Sequence, residues 1–212
     1  MRTEDLVERL SAQAEPVESG IVARWLGPAL VVGGALSFAL MSVWLGLRPM
    51  SAAMTDPSFW IKAAYSLALG TSGGWMVWRL ATPTGRAGRI LYAVIAAAVI
   101  LAVIAAMEVA RATSAEMPVL VFGNTWKWCG LRIVTLSLPL TLALMAGLRR
   151  LAPTRLTLAG AAAGLAAGGL AAVIYGFYCQ ETSAVFVVIW YSLGVAASAG
   201  LGALIGPRLL RW

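Results

Sequence analysis

Six apolar runs, each about long enough to cross a bilayer, leave this chain few architectures. They fall at 25–47, 59–80, 90–108, 130–148, 156–177 and 184–206. A spanning helix needs roughly 20 apolar residues. In lipid the backbone must satisfy its own hydrogen bonds, so runs of this length read as helices. Short connectors with turn or charge signals separate them: Arg48-Pro49, Asp56-Pro57, Pro83-Thr84-Gly85, Pro118 and Pro153. The longest connector joins the third run to the fourth and holds Arg111, Glu116, Gly123-Asn124 and Lys127. The expected fold is all-α: a polytopic membrane protein whose residues 25–212 form a bundle of six transmembrane helices, preceded by a tail over 1–24.

Composition agrees. Sixty per cent of the residues are hydrophobic and 12% charged, against about 25% charged in soluble domains. So much apolar surface cannot be hidden in one core of this size, so the excess must face lipid. The net charge of +7 would suggest nucleic acid in a soluble protein. Here the arginines sit between apolar runs, where they set topology instead. With the N-terminus cytoplasmic, eleven of the 16 basic residues fall on that side and five on the other. The positive-inside rule therefore puts both termini in the cytoplasm. The first 24 residues carry Glu4, Asp5, Glu8, Glu15 and Glu18 and no apolar h-region, so they do not read as a secretory signal.

The last two runs carry small residues at every fourth position: Gly160, Gly164 and Gly168, then Gly194, Ser198, Gly202 and Gly206. That spacing lets helix backbones approach closely. The link between the runs is short, so the expected result is an antiparallel hairpin within one chain, with homodimerisation through one zipper as the alternative. Pro139 lies inside the fourth run and should kink it.

Histidine is absent, and the two cysteines form no CxxC, zinc or haem spacing. Cys129 opens the fourth run and Cys179 closes the fifth, so both reach the same, non-cytoplasmic side at similar depth. Arg132 lies three residues after Cys129 and Lys127 two before it, and positive neighbours favour the thiolate. Three readings stand: a reactive or sensory pair, a constitutive disulfide, or two buried small hydrophobes. Arg132 should snorkel or pair with Glu108 or Glu181. No acidic residue sits at the middle of any run, which weighs against a coupled transporter.

In the tail, Thr3 can cap a short helix with Glu4 and Asp5 in its first turn. Leu6, Val7, Leu10 and Ala14 share one face, and Pro16 ends the helix. Its acidic face opposes adsorption to anionic lipid and suits a basic protein partner; an unstructured leader is the alternative.

The chain resembles the NrsF family of membrane anti-sigma factors. The likeness runs through Met1-Arg2-Thr3-Glu4-Asp5-Leu6, Phe59-Trp60-Ile61-Lys62-Ala63, Trp128-Cys129, Leu136-Ser137-Leu138-Pro139 and Arg149-Arg150 with Ala152-Pro153-Thr154. It continues in Tyr178-Cys179-Gln180-Glu181, Trp190-Tyr191 with Leu193-Gly194, and Arg208-Leu209-Leu210-Arg211-Trp212. The resemblance implies a protein of the bacterial inner membrane that holds an extracytoplasmic-function sigma factor inactive and releases it on periplasmic metal or oxidant stress. No enzymatic activity and no cofactor are expected, since the chain has neither a second cysteine pair nor a cofactor motif, and the placement of the arginines argues against direct contact with nucleic acid. Cys129 and Cys179 match the family's cysteine pair, which makes them the expected sensing thiols and candidate metal ligands. Lys127, Arg132 and Glu181 would support them. The tail residues Glu4, Asp5, Leu6, Val7 and Leu10 would bind the sigma factor at the cytoplasmic face. Relatives often place a histidine before the second cysteine where this chain has Tyr178, which shifts the expectation toward thiol oxidation or a two-thiolate site aided by Glu181. A small-molecule or ion transporter is the alternative function.

Overall fold

The structure, a computed structural model, describes Thr3, residues 20–82 and residues 88–211. It is all-helical over those residues. The tail residues Glu4, Asp5, Leu6, Val7 and Leu10 lie outside the described part. Eight helices follow in order: α1 (Ile21–Trp44), α2 (Met50–Thr55), α3 (Pro57–Leu80), α4 (Ile90–Arg111), α5 (Met117–Phe122), α6 (Trp126–Arg149), α7 (Leu156–Gly176) and α8 (Ala184–Leu209). The expected six helices become eight because two connectors contain short helices, α2 and α5. Helix α1 begins at Ile21, inside the stretch assigned to the tail.

Five helical segments are long and apolar enough to cross a membrane: α1, α4, the stretch Met117–Arg149, α7 and α8. Helix α3 is as long as α1 at 24 residues but is not among them. Its sequence spends positions on Lys62, Tyr65, Ser66, Thr71, Ser72 and four consecutive or near-consecutive small residues around Gly73. That composition suits a helix packed against protein rather than lipid, and α3 does lie against α7 and α4.

Helix α7 is the hub, packed on α8, α3, α6 and α1, while α4 touches mainly α3 and the start of α8. The small-residue pattern explains the hub. A Cβ on Gly160 would stand 2.9 Å from the Cα of Gly206, and one on Gly164 would stand 2.9 Å from the Cα of Ala199. From the other helix, a Cβ on Gly202 would stand 3.0 Å from the Cα of Gly164. Gly168 meets Ser198, whose hydroxyl also accepts a hydrogen bond from Ser137 of α6 at 3.0 Å. Gly194 faces α6 instead, against Ile133 and Gly130. The opposite face of α7 admits α3 as closely, Gly169 on Gly70 and Ala166 on Gly73. Without side chains between them, the backbones gain dispersion contacts along their whole length.

Two buried clusters divide the bundle. One gathers Val22, Leu26, Val77, Leu80, Leu148, Ala159 and Leu210, so the described chain begins and ends at the same end of the bundle. The other gathers Met41, Tyr65, Ala105, Cys129, Tyr175, Cys179, Phe186 and Tyr191. The connectors with α2 and α5, and the loop from α7 to α8, close that second end.

Candidate functional site

Both cysteines lie in this second cluster, each with no exposed surface. Cys129 sits in the first turn of α6, its amide bonded to Thr125 O at 3.0 Å. Cys179 follows α7 by one turn, its amide bonded to Tyr175 O at 2.9 Å. The fold gathers these two free thiols into one buried cluster. Two tyrosines belong to the same buried cluster, Tyr175 and Tyr191, with ring centroids 5.7 Å apart. Neither buried hydroxyl closes a hydrogen bond of good geometry. A sealed thiol among apolar groups is protected from reagents, so reaction here requires the surrounding loops to open.

Tyr191 reaches the site through an irregularity. Residues Val187–Tyr191 form a π-helical turn inside α8, with one extra residue per hydrogen-bonded ring. The turn lets adjacent residues serve different neighbours. Trp190 donates its indole N–H to Val121 O at 2.9 Å and packs on Trp126, while Tyr191 is wholly buried beside Cys179.

The charged residues do not pair as expected. Arg132 forms no ion pair with Glu108 or Glu181; it donates to Tyr178 Oη at 3.3 Å and lies 5.2 Å from that ring's centroid. Both carboxylates are taken by backbone donors instead. Glu108 accepts from Ala184 N at 2.8 Å, Val185 N at 3.2 Å and Ser183 Oγ at 3.2 Å, which caps the start of α8. Free amides at a helix N-terminus are the better match for an anion than a distant guanidinium. Glu181 Oε1 accepts from Asn124 N at 2.8 Å and from Thr125 N and Oγ1 at 3.1 Å. Gly123 makes room for it: with φ of 49°, it leaves the Glu181 carboxylate where a Cβ would project. The Glu181 side chain therefore braces the connector before α6 and does not join the thiols. Among the described residues, no three Cys, His, Asp or Glu side chains gather as metal ligands. Lys127 is exposed, its ammonium 5.7 Å from the Trp126 ring centroid rather than against a thiol.

The residue that counting charges missed is Lys62. It is only 2% exposed, and its ammonium donates to Cys179 O at 3.2 Å and to Glu181 O. Nearby, Arg48 N donates to Phe177 O at 3.2 Å, and the Arg48 guanidinium lies 5.1 Å from the Phe59 ring centroid. The sequence signal is present, an ionisable residue inside an apolar run, but neither a charge count nor the family motif around Lys62 gives its partners.

Comparison with known proteins agrees with the resemblance seen in the sequence. Residues 10–212 match the family described as "Negative regulator of sigma F", NrsF. The curated "Anti-sigma-F factor NrsF" of Caulobacter vibrioides is 39% identical over 215 residues, covering 100% of both chains. The "Probable anti-sigma-F factor NrsF" of Azospira oryzae is 38% identical over 213 residues, again covering 100% of both. No solved structure matches. With identity at this level from end to end, the chain belongs to the NrsF family.

Proposed function

We propose that this protein is a membrane anti-sigma factor that holds a sigma factor at the cytoplasmic face and releases it when the Cys129–Cys179 pair is modified. The observation that carries the first half is the full-length match to proteins named as anti-sigma-F factors. The second half is supported by the meeting of two free thiols, 50 residues apart in the chain, in a sealed cluster at one end of the bundle. The arginine distribution supports a topology with that end outside the cytoplasm and both termini inside. Helix α3 acts as the sixth span, its polar face covered by α7 and α4. The membrane is the bacterial inner membrane, and no second copy is needed for the thiol site.

Modification takes one of two forms. An oxidant removes two electrons and two protons from the thiols and leaves a disulfide, or a thiophilic ion displaces both protons and is held by the two sulfurs. Either draws α6 and the end of α7 together. The tail residues Glu4, Asp5, Leu6, Val7 and Leu10 provide the sigma-binding surface, together with the arginine-bearing loops at the same face.

The test is co-purification in mild detergent of the full-length protein and of a version lacking residues 2–20. A sigma factor recovered with the full-length protein alone supports sequestration through the tail. Recovery with both moves the surface to the loops, and recovery with neither refutes the anti-sigma reading. Cys129→Ser and Cys179→Ser proteins should retain the sigma factor after oxidant treatment that strips it from the unmodified protein; release from both would remove the thiols from the mechanism.

A further inference from the structure

The loop from α7 to α8 is held from three directions. Glu181 reaches the connector before α6 with its carboxylate, residues 183–185 are bound by Glu108 of α4, and the backbone around Cys179 is held by Lys62 of α3. Of these, only the Lys62 contact touches Cys179 itself.

Lys62 is an unusual choice for the place it occupies. Burying an ammonium is costly, and an apolar side chain of similar volume would fill the site without that cost. The lysine persists because the carbonyls beyond the last turn of α7 have no helical partners. It donates to Cys179 O and Glu181 O from across 117 and 119 residues of chain. A cation at a helix C-terminus also faces the negative end of its dipole. Capping alone explains a donor. Its two acceptors bracket Gln180, so the ammonium also fixes the main chain of the one loop residue that carries a thiol.

We infer that Lys62 is a positioning residue that holds the Cys179 carbonyl and so keeps the Cys179 thiol sealed against Cys129. The inference rests on the reading of the cysteine pair as the protein's input and adds the element that sets its threshold. While Lys62 holds the carbonyl, the loop stays closed over Tyr175 and Tyr191. Drawing Cys179 toward Cys129 moves its main chain, strains the Lys62 hydrogen bonds, and passes the change to α3. That helix runs from this contact to Arg79 at the opposite end of the bundle, locked on α7 through Gly70 and Gly73.

The test uses the intact protein in mild detergent with N-ethylmaleimide as probe, scoring Cys129 and Cys179 separately by mass spectrometry. Lys62→Met keeps the volume and removes the donor. It should speed labelling of Cys179 roughly tenfold, the order by which a lost charge-assisted hydrogen bond shifts local opening, with a much smaller change at Cys129. Lys62→Arg keeps a donor for both carbonyls and should stay near the unmodified rate. Unchanged labelling in Lys62→Met overturns the inference, as does equal acceleration at both cysteines, which would mark general loosening. Should Lys62→Met fail to accumulate, Lys62→Arg decides: slow labelling of Cys179 supports the clamp and labelling as fast as in denatured protein refutes it. Sigma co-purification with the unmodified protein reports separately on the function, because the labelling rates do not depend on any partner.

Discussion

Asp56 shows how one side chain sets the start of a helix. It precedes Pro57, has extended backbone, and accepts from Ser58 N at 2.8 Å. This bond holds its carboxyl below the ordinary carboxylate range, with lesser help from Lys62 and Arg48. A carboxyl depressed in the folded state contributes stability that is full above its ordinary value and lost as pH falls through the folded value. Asn caps equally well and does not titrate. Asp56→Asn should therefore match the unmodified protein at neutral pH and become the more stable of the two as pH falls below about 4, where the Asp56 carboxylate takes up its proton. Asp56→Ala should cost about 1 kcal/mol at neutral pH. Thermal unfolding in detergent across that pH range checks both. At Glu181 the contrast runs through hydrogen bonds alone. Glu181→Gln keeps an acceptor for Asn124 N and Thr125 N, whereas Glu181→Ala removes it and should cost about 1–2 kcal/mol, measured by the same melts.

At the scale of the element, the α7–α8 hairpin concentrates the packing that glycine makes possible. Gly164→Val would press two methyl groups into the backbone of Ser198 and Ala199, where no flexible side chain can yield. Overpacking of a close interface costs typically 1–3 kcal/mol or more, so Gly164→Val should unfold well below the unmodified protein. Gly200→Ala, on α8, meets nothing within 4 Å and should not destabilise the protein. These glycines were legible beforehand because a four-residue period needs no knowledge of the partner. The existence of the long helices was legible for the same reason, since hydropathy is a local property, but their limits were not: α1 begins at Ile21 and α6 at Trp126, ahead of the runs expected at 25 and 130. The charged contacts were not. Glu108 and Glu181 chose backbone amides 76 and 56 residues or more away, and a count of opposite charges cannot see an amide. The π-helical turn leaves no proline or glycine as a mark, so Tyr191 and Trp190 gave no warning that they would face different neighbours. Lys62 was visible as a charge in an apolar run, but its meaning depends on carbonyls that only the folded loop presents.

Across the whole molecule, the thiols and the proposed sigma-binding face occupy opposite ends, and the glycines of the α7–α8 hairpin are occupied within one chain. On the proposed function, the signal would pass along packed helices of a single bundle rather than through these glycines opening between copies. Thermodynamic linkage makes this measurable without knowing the route. If the disulfide form binds the sigma factor more weakly by some factor, the sigma factor must favour the dithiol form by the same factor. A shift from nearly all bound to nearly all released needs about 10⁴-fold difference between the two forms. Each tenfold of that difference moves a two-electron thiol couple by about 30 mV. Equilibrating the protein in glutathione buffers with and without saturating sigma factor should thus raise the midpoint potential of the Cys129–Cys179 couple by roughly 60–120 mV for a 10²–10⁴-fold coupling. The rise is the required sign, because a bound partner that prefers the dithiol makes the disulfide easier to reduce. Identical midpoints would mean that the sigma factor binds both forms equally, and disulfide formation could then not release it.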